Sequence, residues 1–202
     1  MNIEAGEYSQ SAEQGVINSL VGDTGRFLDV GTYNAKIFSN TRKLYERGWA
    51  GVMVEPSPAN FAGLEKEYGT EERIRLIQAT VAPEAGEIDF FDSGGDAISS
   101  TDEAHAKRWE AGYDCKFEKI KVKAITWSDL FDMVDPAFGF VNIVTESTNL
   151  ELLQTFPFGI CNPMCMCIEH DNHVAEMMTV LGPYGFRVVY QSGENIVVYR
   201  GE

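Results

Sequence analysis

Short apolar runs alternate with stretches of helical spacing along most of this chain. The apolar runs, each about four to seven residues long, predict strands near 26–30, 51–55, 74–79, 139–144 and 163–169. Between them, apolar positions three and four apart predict helices near 11–21, 38–47, 58–68, 147–155 and 172–182. This alternation argues for a parallel sheet covered by helices on both faces. The end of the chain differs. Segments 186–190 and 195–199 are separated by Gln191, Ser192, Gly193 and Glu194, a short turn-forming connection, and read as a hairpin. Two further strand-like runs, 87–91 and 117–122, lie between the third and fourth core strands. They bracket Ser93, Gly94, Gly95 and Asp96 and a helix-like segment, 100–109, whose Ser100 and Thr101 ahead of two acids make a helix start. The expected architecture is therefore α/β. It is a three-layer sandwich around a mostly parallel seven-stranded sheet that ends in an antiparallel hairpin, with a small insertion between the third and fourth core strands.

Composition narrows the class of protein. A chain of 202 residues with 44% hydrophobic content is of a size to bury one substantial core, and it carries no linker or internal repeat, so a single domain over 1–202 is expected. No apolar run is long enough to span a membrane, and the first twenty residues are polar and acidic rather than a basic start with an apolar core. A cytoplasmic protein with no membrane span is the expectation. Thirty-one acidic against sixteen basic residues give a formal charge of −15, which repels phosphate backbones and argues against nucleic acid as a partner. Four cysteines in a chain of this length do not make a disulfide scaffold and are expected to be reduced thiols.

Candidate chemistry concentrates at two strand ends. Phe27, Leu28, Asp29, Val30 and Gly31 lead into Thr32, Tyr33 and Asn34, and after one helix's length Val52, Met53 and Val54 lead into Glu55 and Pro56. A nicotinamide site would place G-x-G-x-x-G after the first strand; here the acid comes first and one glycine follows. This D-x-G pattern looks like the first motif of S-adenosylmethionine (SAM) dependent methyltransferases. The match extends across almost the whole chain and resembles the FkbM family. Ser9 and Gln10 with Gly15, Val16 and Ile17 are similar to its S-Q…G-[VI]-[IL] segment, and 29–41, DVGTYNAKIFSNT, to its D-[IV]-G-A-x-D-G-x-x-F-S-N-T. Gly48, Trp49 and Gly51 leading into Val54, Glu55, Pro56 and Pro58 fit G-W-x-G…V-E-P-x-P, and Ser99, Ser100, His105 and Trp109 resemble a later S-S…H…W segment. The chain departs from the family where K-I-D-V-E-G is replaced by Asn142, Ile143, Val144, Thr145, Glu146 and Ser147, and where Asn34 and Ala35 replace an aspartate and a glycine.

The resemblance implies the class I methyltransferase fold and SAM-dependent O-methyl transfer to a hydroxyl of a small-molecule or sugar-containing acceptor. The lost fourth-strand aspartate keeps a second reading open, a degenerate module that binds SAM or S-adenosylhomocysteine (SAH) without turnover. Gly31 has no Cβ and allows close approach of a ligand. Glu55 can accept both ribose hydroxyl hydrogens, with Pro56 beside it. Asp29 either serves the cofactor or holds amides of the following loop, while Thr32, Tyr33 and Asn34 border the methionine part. Thr80, at the end of the third strand, falls where adenine is read in this fold. Ser39, Asn40 and Thr41 are expected to pack a helix. A hydroxyl acceptor must lose a proton, for which Glu146 after the fourth strand and His170 after the fifth are the candidates. Cys161, Cys165, Cys167, His170 and His173 invite a zinc reading, but their spacing matches no zinc motif. On a strand Cys165 and Cys167 share one face, with Met164, Met166 and Ile168 on the other, so no metal is expected.

Overall fold

Successive residues of a strand point to opposite faces, and here both faces are apolar. The computed structural model describes residues 6–201. In chain order it runs α1 (Glu13–Leu20), β1 (Arg26–Val30), α2 (Arg42–Glu46), β2 (Ala50–Val54), α3 (Pro58–Tyr68), β3 (Ile74–Ile77), β4 (Thr80–Val81), β5 (Gly86–Asp92), α4 (Glu103–Gly112), β6 (Glu118–Ile125), α5 (Trp127–Met133), β7 (Phe140–Ile143), α6 (Asn149–Gln154), β8 (Cys165–Glu169), α7 (Val174–Leu181), β9 (Arg187–Gln191) and β10 (Asn195–Tyr199). Seven strands form one sheet in the order β3-β2-β1-β7-β8-β10-β9. The pairs from β3 to β8 are parallel, and β10 runs antiparallel to both its neighbours.

The alternation divides the core in two. Phe27, Met53, Phe140, Cys165 and Cys167 face Ile17 of α1, Leu44 of α2 and Leu64 of α3. Leu28, Val52, Val141, Met166 and Ile168 face Leu130 of α5, Leu152 of α6 and Met177 of α7. This is the expected three-layer sandwich, and the cysteine-rich strand is its buried middle. Met164, expected on that strand, precedes it and is exposed.

Several boundaries differ from expectation for identifiable reasons. The third strand does not run through 74–79. After Ile77 the chain leaves the main sheet, and Thr80 and Val81 pair with Ala124 and Ile125 instead. With the antiparallel β5 and β6 they make a separate three-stranded sheet, β4-β6-β5, which is the insertion. The helix expected over 38–47 is only Arg42–Glu46, because Phe38 has φ +58° and Ser39, Asn40 and Thr41 turn inward. The helix expected from residue 147 starts at Asn149, since Glu146 and Ser147 have φ +52° and +78°. Asp102, not Ser100 or Thr101, caps α4, its carboxylate accepting from the Ala104 amide. Helix α5 was not anticipated from the apolar pattern, although Thr126 and Asp129 form a capping box at its start.

Candidate functional site

The C-terminal ends of β1, β2 and β7 meet at Gly31. Its φ is +77°, and a Cβ built there would lie 1.7 Å from the Val144 carbonyl oxygen. The glycine thus lets the loops after β1 and β7 touch, a role distinct from the expected approach of a ligand. Its amide donates to the Val54 carbonyl at 3.0 Å, tying the same turn to β2.

Asp29 is buried beneath this turn. Thr41 Oγ1 donates to its Oδ2 at 2.5 Å and Asn142 Nδ2 to its Oδ1 at 2.8 Å. Asn40 Nδ2 in turn donates to Asn142 Oδ1 at 3.0 Å, and Ser9 Oγ to Asn40 Oδ1 at 2.7 Å. Thr41 directly, and Asn40 through Asn142, therefore hold the strand-end acid rather than only packing a helix. No amide of the following loop serves Asp29, so that sequence alternative is not used. Burial pushes the Asp29 carboxyl up to about 6, against the lowering effect of its two donors.

Glu55 is equally enclosed. Its Oε2 accepts from the Tyr33 amide at 2.7 Å and its Oε1 from the Ser57 amide at 2.9 Å. These bonds fix the positive φ of Tyr33, +55°. Burial raises the carboxyl to about 7 despite the two amides, with Asp29 and Asp92 adding to the rise. A carboxylate has about four acceptor sites, so Glu55 keeps capacity for further donors.

Two cavities adjoin here. The first, about 480 Å³ of empty space, is lined by Glu55, Pro56, Thr80 and the apolar Val54, Ala79, Val81 and Phe90, and is roofed by Asp96, Ala97 and Ser99 of the insertion. The second, about 540 Å³, is lined by Asp29, Thr32, Phe38, Asn40, Asn142, Glu146 and Asn195. Both share Gly31, Tyr33, Ala97 and Val144, so they are two ends of one cleft. Asn34 lines neither; its Oδ1 accepts from the Lys36 and Ile37 amides and closes the loop. Within the described residues the cleft wall holds four carboxylates, Asp29, Glu55, Asp96 and Glu146, and no lysine, arginine or histidine.

Glu146 stands where three elements converge. Its amide donates to Glu169 Oε2 at 3.0 Å, and its carbonyl accepts from Ser100 Oγ of the insertion. Asn149, fully buried, organises this corner by donating to Glu169 Oε2 at 2.7 Å and Asp171 Oδ2 at 2.9 Å while accepting from the Thr145 amide. Burial, with Glu169 and Asp171 nearby, holds the Glu146 carboxyl well above the usual range. His105 Nε2 of α4 lies 3.7 Å from Glu146 Oε2. The ring is 3.0 Å from the Ile98 carbonyl through Nε2 and 2.9 Å from Ser147 Oγ through Nδ1. A carbonyl can only accept, so Nε2 carries the proton and Nδ1 accepts from Ser147. Burial keeps His105 below the usual histidine range, and its approach to Glu146 is one between neutral groups.

The sequence pairing of Glu146 with His170 is not what the fold brings together. His170 Nδ1 accepts from the Asn172 amide at 3.0 Å and its Nε2 lies 3.4 Å from the Ser192 carbonyl, which locks it under the hairpin turn, outside both cavities. Among the described residues no group of three or more His, Cys, Asp or Glu side chains is placed to hold a metal ion. Burial raises the Cys165 thiol to about 12, far from the thiolate that metals require. Nor, among the described residues, is any helix long and apolar enough to cross a membrane.

No protein-family model matches the chain, and no curated protein matches it either. Its fold does match solved structures. It is similar to the methyltransferase FkbM from Methylobacillus flagellatus KT, with 12% identity over 96% of this chain and 48% of that one and a TM-score of 0.61. The chain thus spans about half the length of that protein. It is also similar to the precorrin-6y C5,15-methyltransferase from Geobacter metallireducens GS-15, at 12% identity, 96% and 91% coverage and a TM-score of 0.53. A third is Sp1610 of Streptococcus pneumoniae, named as a candidate tRNA methyltransferase, at 14% identity, 95% and 71% coverage and a TM-score of 0.51. The fold is the Rossmann-like class I methyltransferase fold.

Proposed function

We propose that the chain is a single-domain, FkbM-like methyltransferase over 1–202, which uses SAM to methylate a hydroxyl of a small-molecule or sugar-containing acceptor in the cytoplasm. The observation that carries this reading is the cleft itself. It lies at the carboxyl ends of β1, β2 and β7, where open α/β sheets bind their ligands, and its two ends differ in chemistry as the two ends of SAM do.

The residues fit the cofactor. Glu55, with acceptor sites to spare, binds the ribose hydroxyls, and Pro56 with Ala79, Val81 and Phe90 makes a flat apolar slot for adenine beside Thr80. Thr32 and Tyr33 carry the turn toward the second cavity, where Asp29 and its polar network floor the methionine end. There Asn195 Oδ1 is a buried acceptor without a partner, which an ammonium of the methionine part satisfies. Bound SAM supplies a methyl group activated by its sulfonium for in-line displacement. The chain's part is to hold the acceptor oxygen close and aligned and to take its proton, for which Glu146 in the cavity wall is placed. His105 and Ser147 hold Glu146's loop in its left-handed conformation.

A cleft lined by acids and, among the described residues, by no basic side chain, on a chain of charge −15, favours an acceptor that bears no phosphate. The buried, unpaired cysteines accord with a reducing compartment. The test is an acceptor screen reading SAH formation over hydroxylated small molecules, glycosides and transfer RNA. With a productive acceptor, Glu146→Gln at saturating SAM lowers turnover by about 10²–10⁴-fold. Turnover with RNA alone overturns the acceptor class. SAM binding without product from any acceptor supports the module without turnover instead.

A further inference from the structure

The cleft's charge has a consequence beyond cofactor identity, and it rests on the SAM reading above. Among the described residues, four carboxylates and no basic side chain line it. At the methionine end Asn195, 3% exposed, adds an acceptor oxygen with no partner. Glu146 shares that cavity wall with Asp29. The groups that face it from other elements are Glu169 at the end of β8, Asp171 in the loop beyond, and His105 of α4, whose ring is neutral. Arg108 of α4 reaches Ser147 Oγ at 3.5 Å with a side chain 64% exposed to solvent. Among the described residues nothing in the wall neutralises these acceptors, so a positive ligand completes the cleft electrostatically.

We propose that the cleft selects its ligand by charge, binding the cationic sulfonium donor more tightly than the neutral thioether product, and that Glu146 is the residue that senses the difference. In the free protein burial and the neighbouring Glu169 and Asp171 favour the acid form of Glu146. When the sulfonium enters, the acid loses its proton to solvent and the resulting carboxylate faces the cation, so that one positive charge arrives and one proton leaves. Methyl transfer removes the sulfonium charge, Glu146 regains a proton, ultimately that of the acceptor hydroxyl, and the product keeps its ammonium at Asn195 but has no charge left to pair with Glu146. The same ionisation supplies the base only when the donor is in place. Burial and the adjacent Glu169 and Asp171, which hold the Glu146 carboxyl high, support this order of events.

Calorimetric titration of the protein with SAM, SAH and the amine-bearing analogue sinefungin, each in two buffers of different ionisation enthalpy near neutral pH, tests the proposal. An opposite charge within a few ångströms shifts a carboxyl by about 1–3 pH units; from a start of about 9, the upper end of that range ionises Glu146 at neutral pH, and SAM and sinefungin are expected to bind up to about 10-fold more tightly than SAH there. Both should release a proton that SAH does not, and their affinities should rise with pH while that of SAH stays flat. In Glu146→Gln the proton release disappears and the SAM preference shrinks, with SAH affinity as the measure that the site is intact. If the variant does not fold, the pH dependence in the wild-type protein carries the test alone. Equal affinities for SAM and SAH with no proton release overturn charge selection while leaving the SAM reading standing. Sinefungin behaving as SAH does likewise. Binding of none of the three overturns both.

Discussion

Replacing Gly31 with alanine separates two explanations of a glycine that sequence alone assigns to ligand approach. In the structure the added methyl group meets the Val144 carbonyl oxygen at 1.7 Å, and that oxygen belongs to backbone pinned by the Val144 amide donating to the Val30 carbonyl at 3.0 Å. The residue also sits at φ +77°. Left-handed backbone costs a residue with a Cβ about 1–2 kcal/mol, and overpacking against a wall that cannot retreat costs about 1–3 kcal/mol. Gly31→Ala should therefore lose about 2–5 kcal/mol, a large share of the roughly 5–15 kcal/mol that holds a domain together. Gly48 provides the internal control. It has φ +94°, yet its nearest neighbour is the end of the Arg73 side chain at 3.9 Å, so Gly48→Ala should lose only the conformational part, about 1–2 kcal/mol. Urea unfolding of both variants without any ligand, with the m-value checked for constancy, measures the difference. If Gly31→Ala costs no more than Gly48→Ala and only SAM binding suffers, the glycine serves the ligand and the loop-to-loop account is wrong.

Glu55→Ala should weaken SAM and SAH alike by about 1.5–3 kcal/mol, the scale for bonds to a charged group, as read by calorimetry; unchanged affinity would remove Glu55 from the ribose site. Thr41→Val leaves Asp29 Oδ2 without its donor inside the core, so it should cost about 1–3 kcal/mol in urea unfolding, and a neutral result would mean water replaces the hydroxyl. The raised carboxyls also set a pH dependence. Glu55, at about 7 folded against an ordinary 4.5, binds a proton more tightly in the folded state, so its contribution is fully present below about pH 4.5 and is lost as pH rises through 7, on the order of 3 kcal/mol. Asp29, at about 6, acts in the same sense over a lower window. Urea midpoints should accordingly fall between pH 5 and pH 8 by less in Glu55→Gln than in the wild type, and identical profiles would contradict the burial argument.

The central strands were legible because each is apolar on both faces, a pattern that survives any detail of packing. The chain's irregularities were not, because they answer to distant partners. Apolar residues continue through Ile77 and Ala79, and no local signal marks the point at which Thr80 leaves for β6. Ser39, Asn40 and Thr41 carry ordinary helix-compatible chemistry, and it takes distant partners to draw them inward: Asp29, twelve residues earlier, for Thr41, and Ser9 with Asn142 for Asn40. Helix α5 is a different case: Thr126 and Asp129 announce it, and the signal was readable. In the site, Asp29, Gly31, Glu55 and Pro56 sit at strand ends, where the fold class alone fixes their place. Asn142, Asn149 and Asn195 escape notice since an asparagine says nothing until the groups it bridges are known. His105 lies in the insertion, more than forty residues from Glu146 in sequence, and its approach depends on how that insertion folds back.

That folding back bears on the junction of the cleft. Val144, which the sequence resemblance aligns with an aspartate of the FkbM motif, lies in the wall of both cavities, where the cleft changes from apolar to acidic. An aspartate there would be a third acid beside Asp29 and Glu146, in a wall with no cation to balance it. Repulsion among them would push protons onto all three. With valine, the acid that remains within reach is Glu146, two residues on, turned into the cavity by its own positive φ and held by Ser100 and Glu169. The left-handed turn over Glu146 and Ser147 is backbone strain held by bonds from three elements, and strain of this kind clusters at functional sites.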